Sequence, residues 1–549
     1  MLLSSFGMPS RVPPSKSGRW RALFVGLLGL FSLFALTGCL PKAKEVETGY
    51  GILRGSTNGK IDTFLNVPYA QPPVGALRWR PPQALQPWSG VREARHNGPA
   101  CIQGGYPSDS FVTSEDCLTL DIWAPATPGP HPVMVWLHGG AFLFGAGNEP
   151  EYDGATLARE RDVVVVSVNY RLSFMGFLAL SELGAESGDG RSGNQGYYDQ
   201  LAALKWVKQE IAAFGGDPGR VMLFGESAGA HSTCLMLASP LSAGLFQRAA
   251  IESGNCRMIE PVAPAKAEQV GAAFLGKIGC ATAAEPLSCA RAKSPQEILA
   301  ALQIPAFEIF IRKSQAEWAF LPTIVLDGSF LPDLPMKLLA TGAKADVAVI
   351  LGQNKDEGSL FAEMRDYDAG AAAYLAELQS VYGPNASALA ALYPYADYPT
   401  TGAALAAVFG DFFLNCRGRE LADVLSDAGH TVHAYTFVQP VAGLSAGLFN
   451  LMRGRNTSDV GVFHVAEVPY VFGKSSILGS LDTAERKQTA EHMTGYWSSL
   501  AASGTPNGDG RPFWPAYTRA KPDYLELGDG FASKSAYRGA YCGFWAGVQ

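Results

Sequence analysis

Metal-binding patterns are missing from this 549-residue chain. No CxxC pair and no histidine-rich tract occurs among its nine cysteines and eight histidines, which argues against a structural zinc site. Internal repeats and low-complexity linkers are missing after residue 48, so solenoids and strings of loosely joined modules are excluded. Charge is sparse at 17% and leans acidic, with 43 Lys+Arg against 50 Asp+Glu and a net charge of −7. Residues 1–38 hold four of those bases (Arg11, Lys16, Arg19 and Arg21) and no acid, so the remainder carries 39 bases against 50 acids, or −11. An acidic body lacks the electrostatic footprint of a nucleic-acid binder. At 47% hydrophobic residues, what remains is a globular chain long enough for one very large domain or two to three ordinary ones.

The N-terminus reads as a targeting segment. A basic stretch ends at Arg21, and the uncharged run Ala22–Leu36 follows. Its 15 residues are short for a membrane span, which needs about 20. Leu36-Thr37-Gly38-Cys39 then resembles a bacterial lipobox, whose cysteine is lipidated and becomes the first residue of the mature protein. The expectation is a signal peptide over 1–38, a lipid-anchored tether over 39–48 and a single catalytic domain over 49–549. Leu40 follows the cysteine where an aspartate would suggest inner-membrane retention, so an exported, outer-membrane lipoprotein is expected, with a periplasmic or secreted protein as the alternative. With Cys39 taken by lipid, eight cysteines remain in a compartment that permits disulfides. Cys101 and Cys117 bracket one loop and Cys280 and Cys289 another, and local bridges there are plausible.

Apolar runs without alternation predict buried strands at Val133–Leu137, Val163–Val168, Val221–Phe224, Val347–Leu351 and Val432–Val438. Helical periodicity predicts helices over Gln200–Phe214 and Thr483–Ala502, the second ended by Gly504. Alternation of the two implies an α/β fold with a mostly parallel sheet covered on both faces. Residues 257–345 and 365–430 hold few strand candidates and read as helical cap insertions.

Chemistry enters at Val221-Met222-Leu223-Phe224-Gly225-Glu226-Ser227-Ala228-Gly229. A buried strand running into Gly-x-Ser-x-Gly and then a small-residue helix start is the layout of a nucleophile elbow. A second match, Gly443-Leu444-Ser445-Ala446-Gly447, follows Pro440 rather than a strand and reads as a loop or helix start. A serine needs a base, and the base an orienting acid. In α/β-hydrolases the chain order is serine, acid, histidine, which leaves His430, His433, His464 and His492. Of these, His464 alone lies in a loop-like stretch. Asp356 and Glu357 follow directly on a predicted strand, where site residues gather in open α/β sheets. Gly139 and Gly140 end another strand, and their N–H groups with that of Ala228 are candidates for an oxyanion hole. Phe142, Phe144, Trp318 and Phe361 are candidate pocket walls, although scattered aromatics more often belong to a core. This chemistry needs no metal and no organic cofactor, and its partner is a small-molecule ester.

The ordered motifs together resemble the type-B carboxylesterase/lipase family, the cholinesterase-like branch of the α/β-hydrolases. They are Asn66–Gly75 with Arg78-Trp79, Ser114-Glu115-Asp116-Cys117-Leu118-Thr119-Leu120-Asp121, Val168–Leu172, Gly193–Gly196, Phe214–Pro218 and the elbow. Thr119 and Asp121 depart from the family's usual EDCLYLN. The resemblance covers about residues 45–549. It implies Glu357 rather than Asp356 as the acid and His464, in His464–Gly473, as the base. It implies ion pairs Arg78–Glu115 and Arg171–Asp199, and disulfides Cys101–Cys117, Cys280–Cys289 and Cys416–Cys542. Cys234 and Cys256 are left without family partners and are expected as buried thiols. Residues 102–116 contain no tryptophan, so the cation–π recognition of choline esters is not expected. Beside a carboxylesterase, the alternatives are a lipase for long acyl chains, a specialised esterase for a bulky natural or xenobiotic ester, and a non-enzymatic adhesion protein.

Overall fold

The computed structural model describes residues 42–104, 112–302, 324–344, 346–362, 368–440, 461–475, 481–528 and 530–548. The signal segment, Cys39, Trp318 and the second serine motif around Ser445 lie outside them. In chain order the strands are β1 (Lys42–Thr48), β2 (Gly51–Thr57), β3 (Ile61–Pro68), β4 (Val91–Glu93), β5 (Ala100–Cys101), β6 (Thr113–Ser114), β7 (Thr119–Pro125), β8 (His131–Leu137), β9 (Val164–Val168), β10 (Gly216–Glu226), β11 (Arg248–Glu252), β12 (Ala348–Asn354), β13 (Val432–Phe437), β14 (Asp523–Leu527) and β15 (Ser533–Ser535). Thirteen of these form one sheet in the order β1-β2-β3-β7-β9-β8-β10-β11-β12-β13-β14-β15, with β4 beside β2. The run from β9 to β14 is parallel throughout, while β2-β3, β3-β7, β7-β9 and β14-β15 are antiparallel.

All five predicted strands are present. Their unbroken hydrophobicity has a direct cause: successive residues feed two different cores. Val133, Val135, Leu137, Leu223 and Ile251 face one core, with Leu201, Leu204 and Val207 of the helix Gln195–Glu210. Met134, Trp136, Phe224 and Ile350 face the other, with Met493, Trp497 and Leu500 of the helix Ala484–Ser503. That last helix starts where Thr483 Oγ1 accepts the Arg486 N–H at 3.2 Å and stops at Gly504, whose φ of 82° suits glycine. The two stretches expected to be helical carry Pro264–Lys277, Pro286–Ala292, Pro295–Leu302, Gly370–Tyr382, Thr401–Gly410 and Cys416–Asp427.

Two expectations change. Residues 42–48, read as tether, form an edge strand. Polar exposed residues suit a sheet edge, Glu45 accepts from Arg54 Nε at 2.8 Å, and Lys44 lies 3.2 Å from Asp62. Cys234 and Cys256 are not thiols but a disulfide, joining the helix Ala228–Ala238 to the turn after β11. Twenty-two residues separate them in sequence, and the parallel crossover that brings them together is a tertiary event that spacing cannot show. The other three bridges, Cys101–Cys117, Cys280–Cys289 and Cys416–Cys542, are as the resemblance implies.

Candidate active site

Ser227 sits between the end of β10 and the helix Ala228–Ala238 with φ 56° and ψ −119°. A side-chain-bearing residue there is strained by about 1–3 kcal/mol, so its surroundings must hold it. They do so by close packing. A Cβ on Gly229 would lie 1.9 Å from the Leu137 carbonyl oxygen, and one on Gly225 would lie 2.6 Å from that same oxygen. Only glycine lets β8, β10 and the helix converge there. The Ser227 N–H donates to the Glu252 carbonyl at 3.0 Å, and the Ser227 carbonyl accepts from the His231 N–H at 2.9 Å.

Gly139 and Gly140 face this turn from the end of β8. A Cβ on Gly139 would lie 3.3 Å from Ser227 Cβ, and Gly140 has φ 100° with its open side against the Phe144 carbonyl. His138 is not available as a base. It is fully buried, stacks on Tyr170 at 4.4 Å, and bonds through Nδ1 to its neighbour's carbonyl at 2.8 Å. Burial pushes its pKa down to about 4.

His464 and Glu357 meet. His464 Nδ1 lies 2.6 Å from Glu357 Oε2, and Glu357 Oε1 accepts the Asn354 N–H at 2.7 Å. Both side chains are buried. Asp356 turns instead to the backbone of Val462. Its Oδ2 accepts the Val462 N–H at 2.9 Å, and its own N–H donates to the Val462 carbonyl at 3.0 Å. That pair staples the histidine-bearing turn to the end of β12. His464 Nε2 reaches the elbow, 3.1 Å from Oε1 of Glu226, the residue before Ser227. The approach lacks hydrogen-bond direction, so Nε2 has no hydrogen-bond partner among the described residues. The rival histidines are elsewhere: His430 Nδ1 meets the Val347 carbonyl, His433 Nδ1 the Pro515 carbonyl, and the His492 ring packs on Phe531.

The family model described as "Carboxylesterase family" matches residues 42–545. The chain belongs to that family. This carboxylesterase is 36% identical to the fumonisin B1 esterase of Sphingopyxis macrogoltabida over 86% of its own length and 84% of that protein. It is 32% identical to the acetylcholinesterase of Bungarus fasciatus over 98% and 92% of the two chains. Among solved structures it resembles a PNB esterase (TM-score 0.75, 33% identity, 91% of this chain and all of that one) and a carboxylesterase of Geobacillus stearothermophilus (TM-score 0.76, 32% identity, 91% and 99%). It is an α/β-hydrolase and a serine hydrolase of carboxylic esters.

The carboxylesterase carries more acid around His464 than sequence reasoning singled out. Glu226, Glu252 and Glu467 are buried with Glu357. Glu467 accepts from Ser253 Oγ at 2.5 Å and from Asn354 Nδ2. Burial, and then the nearby Glu357, push its pKa up to about 7. Glu226 is raised by burial first and then by its acidic neighbours. Glu252 is raised likewise, although Trp497 Nε1 donates to it at 2.6 Å. Glu226, Glu252 and Glu467 sit in a dry site where each carboxylate opposes the ionisation of its neighbours. The positions of Glu226 inside Gly-Glu-Ser and of Glu467 inside His-x-x-Glu were the available signal for those two. Two of the candidate pocket walls part company: Phe142 belongs to the core against Phe177 and Tyr197, whereas Phe361 lies 4.9 Å from the His464 ring. The implied ion pairs are present. Arg171 Nε and Nη2 reach Asp199 at 2.7 Å each, and Arg78 grips Glu115 at 2.6 Å through two nitrogens.

Proposed function

We propose that this carboxylesterase cleaves uncharged carboxylic esters through Ser227 as nucleophile, His464 as general base and Glu357 as the acid that orients it. The observation that carries the reading is the buried Glu357–His464 pair at 2.6 Å with its far nitrogen turned to the elbow. His464 takes the Ser227 proton as Oγ attacks the ester carbonyl. The N–H groups of Gly139, Gly140 and Ala228 receive the oxyanion. His464 then gives its proton to the departing alcohol, and water repeats the cycle on the acyl-enzyme. Glu357 keeps the Nδ1 proton in place and offsets the imidazolium charge.

Choline esters are not the preferred substrates, since residues 102–116 supply no tryptophan face for a quaternary ammonium. A specialised esterase for a bulky ester is the second reading, favoured by the 36% identity to fumonisin B1 esterase. The protein is proposed to be exported and held to the outer membrane by lipid on Cys39, so metabolic palmitate labelling should disappear in Cys39→Ser. The enzymatic test is hydrolysis of p-nitrophenyl esters from acetate to palmitate by the wild type and Ser227→Ala. Loss of about 10⁴–10⁶ in turnover is expected, together with loss of fluorophosphonate labelling. Wild-type rates in the variant refute the nucleophile. A rate peak at long chains replaces carboxylesterase with lipase.

A further inference from the structure

His231 follows Ser227 by one helical turn, on the helix Ala228–Ala238, and the proposed mechanism gives it no task. It is fully buried. Its backbone N–H donates to the Ser227 carbonyl at 2.9 Å, and its Nδ1 lies 2.7 Å from the Asn255 carbonyl. A carbonyl can only accept, so Nδ1 carries the proton and donates. Burial pushes the pKa of the ring down to about 4, against the opposing Asn255 bond, so the ring is uncharged near neutral pH. Nε2 has no hydrogen-bond partner among the described residues. Among those residues, the Nδ1 bond is the one polar anchor of the ring.

Two elements meet at this ring. On one side is the turn after β11. A Cβ on Gly254 would lie 2.5 Å from Ala230 Cβ and 3.0 Å from the Ser227 carbonyl oxygen, so this turn rests directly on the start of the serine-bearing helix. It is itself held from three directions. The Ser253 N–H donates to the Gly352 carbonyl of β12 at 2.8 Å, Asn255 Nδ2 donates to the Phe413 carbonyl at 3.0 Å, and Cys256 is bridged to Cys234, three residues beyond His231. On the other side is the loop that runs on from Gly139 and Gly140. The Phe142 ring lies 6.0 Å from the imidazole, edge to face at 72°. Ala141 and Phe142 hold φ values of 56° and 61°, a region that residues with side chains seldom adopt. Such a loop keeps its shape only where its surroundings over-determine it.

We infer that His231 is a positioning residue for the oxyanion hole, acting through its Nδ1–H bond to Asn255. The bond fixes the imidazole between the turn and Phe142. It thereby sets Ala228, at the head of the helix, against Gly139 and Gly140 on the loop. The three N–H groups belong to two separate elements, and they serve one developing charge only while those elements keep their spacing. The inference rests on the proposed function. It assigns His231 no proton transfer and no contact with substrate. Losing the bond costs the transition state more than the bound ester, because the donors are aimed at the oxyanion and not at the ground-state carbonyl.

The test compares the purified full-length wild type with His231→Leu, His231→Asn and His231→Gln. Leucine removes the donor. Asparagine keeps an N–H where Nδ1 stood, and glutamine carries its N–H out to the position of Nε2. Titration with a fluorophosphonate counts active sites, so kcat is expressed per folded site. On p-nitrophenyl acetate and butyrate we expect His231→Leu and His231→Gln to lose about 10- to 100-fold in kcat and in kcat/KM alike. His231→Asn should restore most of that loss. A trifluoromethyl ketone, whose adduct with a serine carries the oxyanion, should lose affinity for the leucine and glutamine variants by a similar factor. Unchanged kcat per site in His231→Leu overturns the inference. An equal loss in all three variants overturns it too, since the bulk of the ring and not its bond would then matter. Undiminished affinity for the ketone beside a fallen kcat removes the oxyanion hole from the account. Where the leucine variant does not fold, the asparagine and glutamine variants decide between them, and equal rates overturn the inference. Wild-type turnover in Ser227→Ala instead overturns the proposed function itself.

Discussion

Replacing Glu357 by glutamine is a sharp probe of the proposed mechanism, because the structure says which atom fails. The native carboxylate accepts two N–H groups, Asn354 N at 2.7 Å on Oε1 and His464 Nδ1 at 2.6 Å on Oε2. A glutamine has one acceptor. If its oxygen stays with Asn354, its amide N–H₂ faces Nδ1 and the imidazole must carry its proton on Nε2, the nitrogen that should take the serine proton. Turning the amide over leaves the buried Asn354 N–H opposed by a donor, costing about 1–3 kcal/mol. The wrong tautomer is the better compromise, and in serine triads an acid-to-amide change of this kind costs about 10⁴ in kcat. Stability should move little or upward, because the variant removes a charge from a site where Glu226, Glu252 and Glu467 are already crowded. The assay is steady-state hydrolysis of p-nitrophenyl butyrate beside thermal unfolding. A loss smaller than about 10-fold in a folded variant, far short of the change expected for a misplaced proton, refutes the assignment of Glu357 as the orienting acid.

Other outcomes follow from other parts of the molecule. Asp121 is buried, with Oδ1 accepting the Asn66 N–H at 2.7 Å and Oδ2 unpartnered among the described residues. Burial pushes its pKa from 3.8 up to about 7, against the opposing Asn66 N–H. The folded chain therefore holds a proton that the unfolded chain has released, and stability is lost as pH rises from 3.8 through about 7. Asp121→Asn keeps the acceptor and removes the charge, so it should gain up to about 4 kcal/mol at about pH 8 and much less at about pH 5, read by urea unfolding. Gly229→Ala places a methyl 1.9 Å from the Leu137 carbonyl and should lose about 1–3 kcal/mol or more, with activity, by the same measurement. Removing Cys416–Cys542, which closes 126 residues, should cost about 5 kcal/mol in the chain-entropy limit, and removing Cys280–Cys289, which closes nine, about 2.5. Equal losses in thermal unfolding would contradict that ordering.

Much of the fold was legible because parallel strands buried on both faces leave unbroken apolar runs, as at Val133–Leu137 and Val221–Phe224. The elbow was legible because its two glycines answer a steric demand that only glycine meets. Choosing Glu357 over Asp356 was not possible from local pattern. Both follow the same strand, and they are separated by their partners, His464 for one and the Val462 backbone for the other. Cys234–Cys256 was hidden because its halves meet only after β10 and β11 pair in parallel. The edge strand at 42–48 was hidden because a polar edge and a polar tether have the same composition.

The long disulfide gives the chain a covalent topology as well as a fold. Everything between Cys416 and Cys542, including β13, His464 and the helix Ala484–Ser503, hangs on one closed loop, while Ser227 and Glu357 lie upstream of its knot. A single backbone cut inside the loop makes two chains without making two molecules. When the cut falls between Cys416 and His464, the piece bearing the histidine stays tied to the piece bearing the serine until a reductant opens the sulfur bridge. A nicked preparation should therefore run as one band without reductant and as two with it.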